Sequence, residues 1–264
     1  MDVIITNFNT KGMKKVKKAI ALAAIILGGS VTTFAQNGIT IRVGGAFPIG
    51  AFGKGEKVTE LALNNPEATF GGSTIGVNAG LKYQLGIIKN LGVFATADFF
   101  YNGLKDDVKD AMNTEGTEST TPAYINVPIM LGFNYSFLNL PSGIALWAEA
   151  GAGVNFNNIT SKAIEYSTEV PFIGSLNGSS TSTYDMSFTF AWQAGIGACL
   201  GRNITLGLHY YHLGASSVNY ETAVDASAAA LGSLDINNIL GEDGKFTAGK
   251  LTPSMIVARL GYTF

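Results

Sequence analysis

Residues 252–264 (TPSMIVARLGYTF) end the 264-residue chain and alternate between two kinds of side chain. One face carries the apolar residues Ile256, Ala258, Leu260, Tyr262 and Phe264. The other face carries Val257, Arg259, Gly261 and Thr263. Because a β-strand repeats every two residues, this stretch fits a wall between lipid and a polar or ionic interior. The closing strand of a soluble, lipocalin-like barrel is the alternative.

Seven further segments alternate in the same way. They are residues 39–49, 73–85, 92–101, 123–137, 144–156, 186–200 and 204–213. In 123–137, one face is aliphatic or aromatic at every position from Ile125 to Phe137. A soluble barrel would place Asn, Lys or Glu on that outward face, whereas transmembrane barrels place apolar residues there. The pattern predicts an all-β fold, an eight-stranded antiparallel transmembrane β-barrel.

The connections between these segments alternate in length. Residues 87–91, 138–143 and 201–203 are short connections, whereas 50–72, 103–122, 157–185 and 214–251 are long and polar. Outer-membrane barrels have short periplasmic turns, long extracellular loops and both chain ends in the periplasm. The alternation predicts this orientation. Within the last long loop, the Ala-rich residues 222–231 (TAVDASAAAL) predict a short helix over the barrel mouth.

Residues 1–35 have the three parts of a secretory signal peptide. A basic segment begins at Met13, an apolar segment covers 19–27, and Thr33 and Ala35 put small residues before a cleavage site. The apolar segment is too short for a spanning helix. We therefore predict that translation starts at Met13 and that the mature barrel domain is 36–264. The single cysteine, Cys199, precludes an intrachain disulfide.

The chain end and one internal strand resemble known membrane barrels. Four residues match the insertion signal of bacterial outer-membrane β-barrels: Ala258, Leu260, Tyr262 and Phe264. Most of the mature chain resembles the small barrels of OmpA/OmpX-like architecture. Residues 124–131 (YINVPIML) are similar to a Pro-containing strand of the PorT-like outer-membrane barrel group of Bacteroidetes, with Asn126 where an acidic residue is common. The resemblance implies a bacterial outer-membrane location and insertion by the barrel-assembly machinery.

Acidic residues are concentrated in the four long loops. The mature chain has 12 basic and 18 acidic residues, and 16 of the acids lie in these loops. This acidic excess excludes nucleic acid as a partner. Solvated surface explains such loops, and the alternative is divalent-cation bridging to lipopolysaccharide through Asp106, Asp107 and Asp110. That cluster lacks calcium-loop spacing, so we predict no metal site and no cofactor. The loop sequences identify no extracellular partner.

Five charged residues remain inside the predicted strands: Arg42, Lys82, Asp98, Glu149 and Arg259. Because side chains alternate between the two faces of a strand, the positions of all five residues predict that they point inward, with Trp147 and Gln193 beside them. Unpaired buried charges cost several kcal/mol, so these residues should pair. An eight-stranded barrel has an interior just wide enough for side chains to fill. We therefore predict that this lumen charge layer plugs the barrel. A narrow pore for small solutes or apolar molecules, lined by the same residues, is the alternative.

Catalysis is not predicted. His209 has inward parity and His212 lies near the extracellular rim, but no Asp or Glu stands at a local spacing that would orient either ring. The residues from His212 to Gly214 depart from the His-x-Ser arrangement of lipid A deacylase barrels, so a lipid-modifying enzyme is the least favoured function. Cys199 is expected to be a packing residue, and Pro128 should mark a bulge or a local break in strand pairing.

Overall fold

A computed structural model describes residues 37–54, 69–112, 117–141, 143–170, 174–201, 203–228, 232–234 and 245–264. The predicted signal peptide lies outside these residues. The helices are α1 (Gly50–Gly53) and α2 (Asp106–Met112). The strands are β1 (Gly38–Pro48), β2 (Thr69–Phe70), β3 (Gly76–Ile88), β4 (Leu91–Asn102), β5 (Thr117–Ser119), β6 (Tyr124–Asn139), β7 (Ile144–Ile159), β8 (Lys162–Val170), β9 (Gly174–Tyr184), β10 (Ser187–Leu200), β11 (Ile204–His212), β12 (Ser216–Ala228), β13 (Gly232–Leu234), β14 (Lys245–Leu251) and β15 (Ser254–Thr263).

Eight of these strands form a closed barrel. Their order around the barrel is β1-β15-β11-β10-β7-β6-β4-β3. Every neighbouring pair is antiparallel, including β1 with β15, which closes the barrel. The predicted eight-stranded antiparallel barrel is therefore confirmed, and the strand ends differ from the predicted ones by three residues or fewer.

The outer surface of the barrel is apolar. Leu131 and Phe190 expose 69% and 68% of their surface, and many other large apolar residues on the outward face are also exposed. These include Ile41, Val43, Val77, Leu81, Ile129, Phe133, Val154, Phe188, Ile196, Leu208 and Leu260. Such a continuous apolar surface suits contact with hydrocarbon rather than water. In the part of the chain that the structure describes, neither helix is long and apolar enough to cross a membrane.

Pro128 interrupts the pairing of β6 on one side only. The ladder between β6 and β7 continues through Pro128, which stands opposite Asn155. The ladder to β4 lacks the two positions around Pro128 and resumes without a change of register. Because proline has no amide proton to donate, the predicted interruption takes the form of a local break and not of a bulge.

A second sheet stands on the extracellular rim. Its strand order is β2-β14-β12-β9-β8-β5, and β13 pairs with β12. Residues 222–228 belong to β12, so the helix predicted over 222–231 is wrong for these residues, and 229–231 lie outside the described ones. Residues 222–228 pair with β9 over their whole length, and 226–228 also pair with β13. Two hydrogen-bonded ladders outweigh the helix preference of alanine, which is worth only about 0.7 kcal/mol per residue or less.

An apolar core occupies part of the extracellular half of the barrel interior. Helix α1 turns inward after Gly50, whose φ of 61° suits glycine, and places Phe52 at 0% exposure. The Phe52 ring packs against the Tyr124 ring at 5.1 Å, and Phe52 accepts a hydrogen bond from the Ser73 amide at 3.0 Å. Phe100, Met130, Met255 and Val257 belong to the same cluster of buried residues. Phe52 therefore caps this core at the barrel mouth.

Candidate functional site

The five residues of the lumen charge layer come from five strands and meet inside the barrel. Arg42, Lys82, Asp98, Glu149 and Arg259 all have side chains that are at most 8% exposed. Strand register explains how they meet. Gly80 of β3 stands between Arg42 of β1 and Asp98 of β4 in one row. A methyl group at Gly80 would overlap the Asp98 carboxylate, so this glycine leaves the space that the ion pair fills.

Asp98 is the first of two carboxylates that organise the layer. Arg42 Nη2 donates hydrogen bonds to both oxygens of Asp98, at 3.0 Å each. Tyr211 Oη donates to Oδ2 of the same carboxylate at 3.0 Å. Arg259 Nη2 lies 3.4 Å from its Oδ1. Asp98 is thus shared by two guanidinium groups and a phenol, which offsets the cost of burying its charge.

Glu149 is the second carboxylate. Lys82 Nζ forms an ion pair with Glu149 Oε2. His209 Nε2 lies at hydrogen-bond distance, 3.0 Å, from Glu149 Oε1, and Arg42 Nη1 lies 3.6 Å from the same oxygen. Gly195 stands between Glu149 and His209 in register, and a methyl group there would overlap the imidazole ring. Because Arg42 contacts both carboxylates, the two halves of the layer form one network.

Aromatic rings flank the cations. Lys82 Nζ lies 4.8 Å from the centre of the Phe94 ring and 5.4 Å from that of Trp147. The Arg259 guanidinium carbon lies 4.7 Å from the ring centre of Tyr211. Cation–π attraction is strongest for such desolvated cations. The sequence analysis missed Tyr211 as a member of the network, although Tyr211 shares the inward parity of His209 two positions earlier.

Polar side chains continue the interior on the extracellular side of the layer. Asn155 Nδ2 donates to Asn126 Oδ1 at 3.2 Å and to Asn157 Oδ1 at 2.6 Å. Asn157 Nδ2 donates in turn to Thr189 Oγ1 at 2.9 Å. Gln193, which was expected beside the charges, is 1% exposed, and its amide has no hydrogen-bond partner among the described residues. These amides line the lumen beside the apolar core, where Asn126 stands opposite Phe100 in register.

On the periplasmic side the lumen opens into a cavity of about 220 Å³, which we call the vestibule. Arg42, Lys82, Glu149 and Arg259 lie at its inner end. Its walls include Trp147 and further residues from the periplasmic ends of the strands, among them Thr40, Gln84, Asn134, Cys199 and Thr205. Cys199 therefore lines a polar cavity in addition to packing against the wall.

The four residues of the predicted insertion signal lie on the outward face of β15 and at the chain end. Ala258, Leu260, Tyr262 and Phe264 are all exposed. The Tyr262 and Phe264 rings lie 5.0 Å apart in an edge-to-face arrangement. The Phe264 amide donates to the Ile39 carbonyl at 3.0 Å, which ties the chain end to β1. Recognition of these residues by the assembly machinery stays a prediction.

The remaining candidate groups have local partners. Asp106 pairs with Lys109 at 2.9 Å on α2, and Asp107 accepts from the Val108 amide. Within the described ranges, no three His, Cys, Asp or Glu side chains group closely enough to hold a metal ion. The Asp110 side chain lies outside the described ones.

His212 and a serine form a pair across β11 and β15. His212 Nδ1 lies 3.0 Å from Ser254 Oγ, so its hydroxyl neighbour is Ser254 and not Ser216 or Ser217. In the part of the chain that the structure describes, no carboxylate is hydrogen-bonded to His212. The pair therefore lacks the third group that orients the base in a catalytic triad.

A closed antiparallel barrel with an apolar outer face and a polar, charged interior defines a transmembrane β-barrel of the bacterial outer membrane. Residues 34–217 match the family model for the outer membrane protein beta-barrel domain, and the chain belongs to this family. This match confirms the predicted membership among outer-membrane barrels and the predicted location in the outer membrane.

Several solved structures of outer-membrane proteins are similar to the chain. OprG from Pseudomonas aeruginosa is 13% identical, with a TM-score of 0.43, covering 89% of this chain and 99% of that one. Ail, the attachment invasion locus protein of Yersinia pestis, is 12% identical, with a TM-score of 0.39, covering 87% and 100%. Outer membrane protein W of E. coli is 14% identical, with a TM-score of 0.32, covering 88% and 100%. None of the curated protein sequences matches the chain.

Proposed function

We propose that this outer-membrane barrel is sealed and non-enzymatic, and that its extracellular part carries its function. One observation carries the proposal: the lumen charge layer is a connected network in which no charged side chain is more than 8% exposed. An ion that crossed this layer would have to break pairs that are buried and mutually stabilised. Removing one partner of a buried ion pair typically destabilises a protein by about 3–5 kcal/mol, which indicates how strongly such pairs resist separation.

A second barrier in series supports the same conclusion. The apolar core capped by Phe52 lies on the extracellular side of the charge layer, and Phe100 and Met130 within it are 1% exposed or less. A dry apolar constriction disfavours the passage of hydrated ions. The two barriers oppose the passage of ions for different reasons. The charge layer does so through its ion pairs, and the apolar core does so because it excludes water.

The extracellular sheet and its acidic loops are then the parts available for partners. In this proposal the wall contacts outer-membrane lipid, the loops contact lipopolysaccharide or external molecules, and the barrel-assembly machinery acts during insertion. Loops on a rigid barrel are where binding is usually located. The pairing of His212 with Ser254, without a third orienting group, supports the non-enzymatic part of the proposal.

Single-channel conductance in planar bilayers tests the seal. We expect the parent protein and the exposed-carboxylate control Glu165→Ala to be silent. Glu149→Ala removes the partner of Lys82 and His209, and Phe52→Ala opens the apolar cap. Because the barriers lie in series, steady openings are expected only when both substitutions are combined. Steady openings in the parent would overturn the seal and make a narrow pore the function.

A separate experiment tests the proposal that the barrel is not an enzyme. The refolded protein is incubated with bilayers of phospholipid and lipopolysaccharide, and released fatty acid is measured. We expect no release above that of protein-free bilayers. Release that is lost in Ser254→Ala and kept in Ser217→Ala would establish an esterase and contradict this part of the proposal.

A further inference from the structure

The lumen charge layer contains one more cation than its carboxylates can neutralise. Among the residues that the structure describes, the only carboxylates that Arg42, Lys82 and Arg259 face inside the barrel are those of Asp98 and Glu149. His209 adds no negative charge in either protonation state. All of these groups are buried. A buried charge without a counter-charge is strongly unfavourable, so the layer requires a further anion.

The unmatched cation is Arg259. Arg42 reaches both carboxylates, and Lys82 has its own close partner in Glu149. Arg259 has only the 3.4 Å approach to an Asp98 oxygen that Arg42 already engages. Its one hydrogen bond to a described residue goes from Nη1 to Tyr211 Oη at 2.6 Å, and its Nε and Nη2 have no hydrogen-bond partner there. The Nε and Nη2 groups of its guanidinium are therefore available to donate hydrogen bonds to a ligand.

Arg259 lies at the inner end of the vestibule, together with the other two cations of the layer. Further polar groups line the same cavity, including the Thr205 hydroxyl and the Asn134 amide, whose Oδ1 accepts from Gln84 Nε2 at 3.3 Å. Thr40 Oγ1 lies there too, 2.8 Å from Thr263 Oγ1. We propose that the vestibule binds a small oxyanion, a carboxylate or a phosphate, which enters from the periplasm and neutralises Arg259. The cavity of about 220 Å³ admits an ion of this size.

The anion site goes beyond the proposed seal and does not depend on it, because the vestibule opens to the periplasmic side whether or not the barrel conducts. Glu149 also lines the vestibule, but it is engaged by Lys82, His209 and Arg42. The wall contributes three cations against this one carboxylate. The cavity therefore favours anions over cations and neutral molecules.

Trp147 provides a direct optical test, because it lines the vestibule and the only other tryptophan, Trp192, lies on the outer face of the barrel. In a Trp192→Phe background, iodide is the anionic quencher of Trp147 fluorescence and acrylamide the neutral one. We expect iodide quenching to saturate, and acetate and inorganic phosphate to reverse it. Acrylamide quenching should be linear and insensitive to both anions.

Substitution of the unmatched cation should remove the site. Arg259→Gln is expected to weaken saturable iodide binding at least tenfold, and Arg259→Lys should keep most of it. Lys89→Gln removes a cation from a periplasmic turn outside the vestibule and should have no effect. Linear iodide quenching in the parent, or equal saturation in the parent and Arg259→Gln, would overturn the proposal.

A second measurement needs no change in the layer, which keeps the proposal testable if Arg259→Gln fails to fold. Cys199 lines the vestibule and is the only cysteine. A methanethiosulfonate reagent bearing a sulfonate should modify Cys199 several-fold faster than one bearing a trimethylammonium group, and acetate should slow the sulfonate reagent. Equal rates for the two reagents would contradict an anion-selective vestibule.

Discussion

Arg42 Nη2 lies 3.0 Å from both carboxylate oxygens of Asp98, and the pair meets across Gly80 of the intervening strand β3. Neither charge could reach the other past a larger residue at that position, because even a methyl group there would overlap the carboxylate. The lumen charge layer thus depends on a glycine as much as on its charged members.

Gly80→Ala should destabilise the barrel. The added methyl group has to displace the Asp98 carboxylate, and overpacking of this kind costs about 1–3 kcal/mol. Urea unfolding in lipid vesicles measures the free energy of unfolding. The matched control is Gly45→Ala, because a methyl group there meets only the Phe47 ring at 3.3 Å or more. Equal stability of the two variants would show that the space at Gly80 is unimportant.

Asp98→Asn should cost more stability than Arg259→Gln. The first substitution removes the carboxylate shared by two guanidinium groups, which leaves buried cations unpaired and costs about 3–5 kcal/mol. The second removes the unmatched cation and loses mainly the hydrogen bond to Tyr211, worth about 1.5–3 kcal/mol. Both variants are compared by urea unfolding in buffer without small oxyanions. A larger loss for Arg259→Gln would contradict the charge count.

Phe52→Ala should open the extracellular cap while the barrel stays folded. The Phe52 ring is fully buried, and its carbonyl accepts the Ser73 amide proton. Loss of the ring should raise the hydrogen-exchange rate of the Ser73 amide by tenfold or more, because helix α1 is no longer held in place by the burial of Phe52. The lipid-facing control Phe99→Ala should leave the rate unchanged. An unchanged rate in Phe52→Ala would mean that other contacts hold the cap.

Phe264→Ala should slow insertion by the reconstituted barrel-assembly machinery several-fold. The same variant should fold spontaneously into detergent at the parent rate, because the Phe264 side chain is exposed on the lipid face. Phe133→Ala, which removes a similarly exposed ring from β6, is the control for lost lipid contact. The folded fraction is read from electrophoretic mobility. If Phe133→Ala slows assisted insertion equally, the terminal residues are not a specific signal.

The sequence by itself determined the wall of this protein. Residues 123–137 alternate so regularly that the strand, its outward face and its place in a membrane barrel follow from period two alone. The same parity put Arg42, Asp98 and Glu149 in the lumen. These features are local, because the face that a side chain takes depends only on its position along its own strand.

Only the tertiary structure decided which charges meet and what surrounds them. The contact of Arg42 with Asp98 depends on the register of three strands that are distant in the chain, and it depends on Gly80 lying between them. The inward turn of Phe52 and the pairing of residues 222–228 with β9 and β13 also depend on partners outside their own segments. Strand pairing overrides the local helix propensity of residues 222–228, which form a strand instead of the predicted helix. The cap at the barrel mouth could not be predicted, because the burial of Phe52 depends on residues that are distant in the chain.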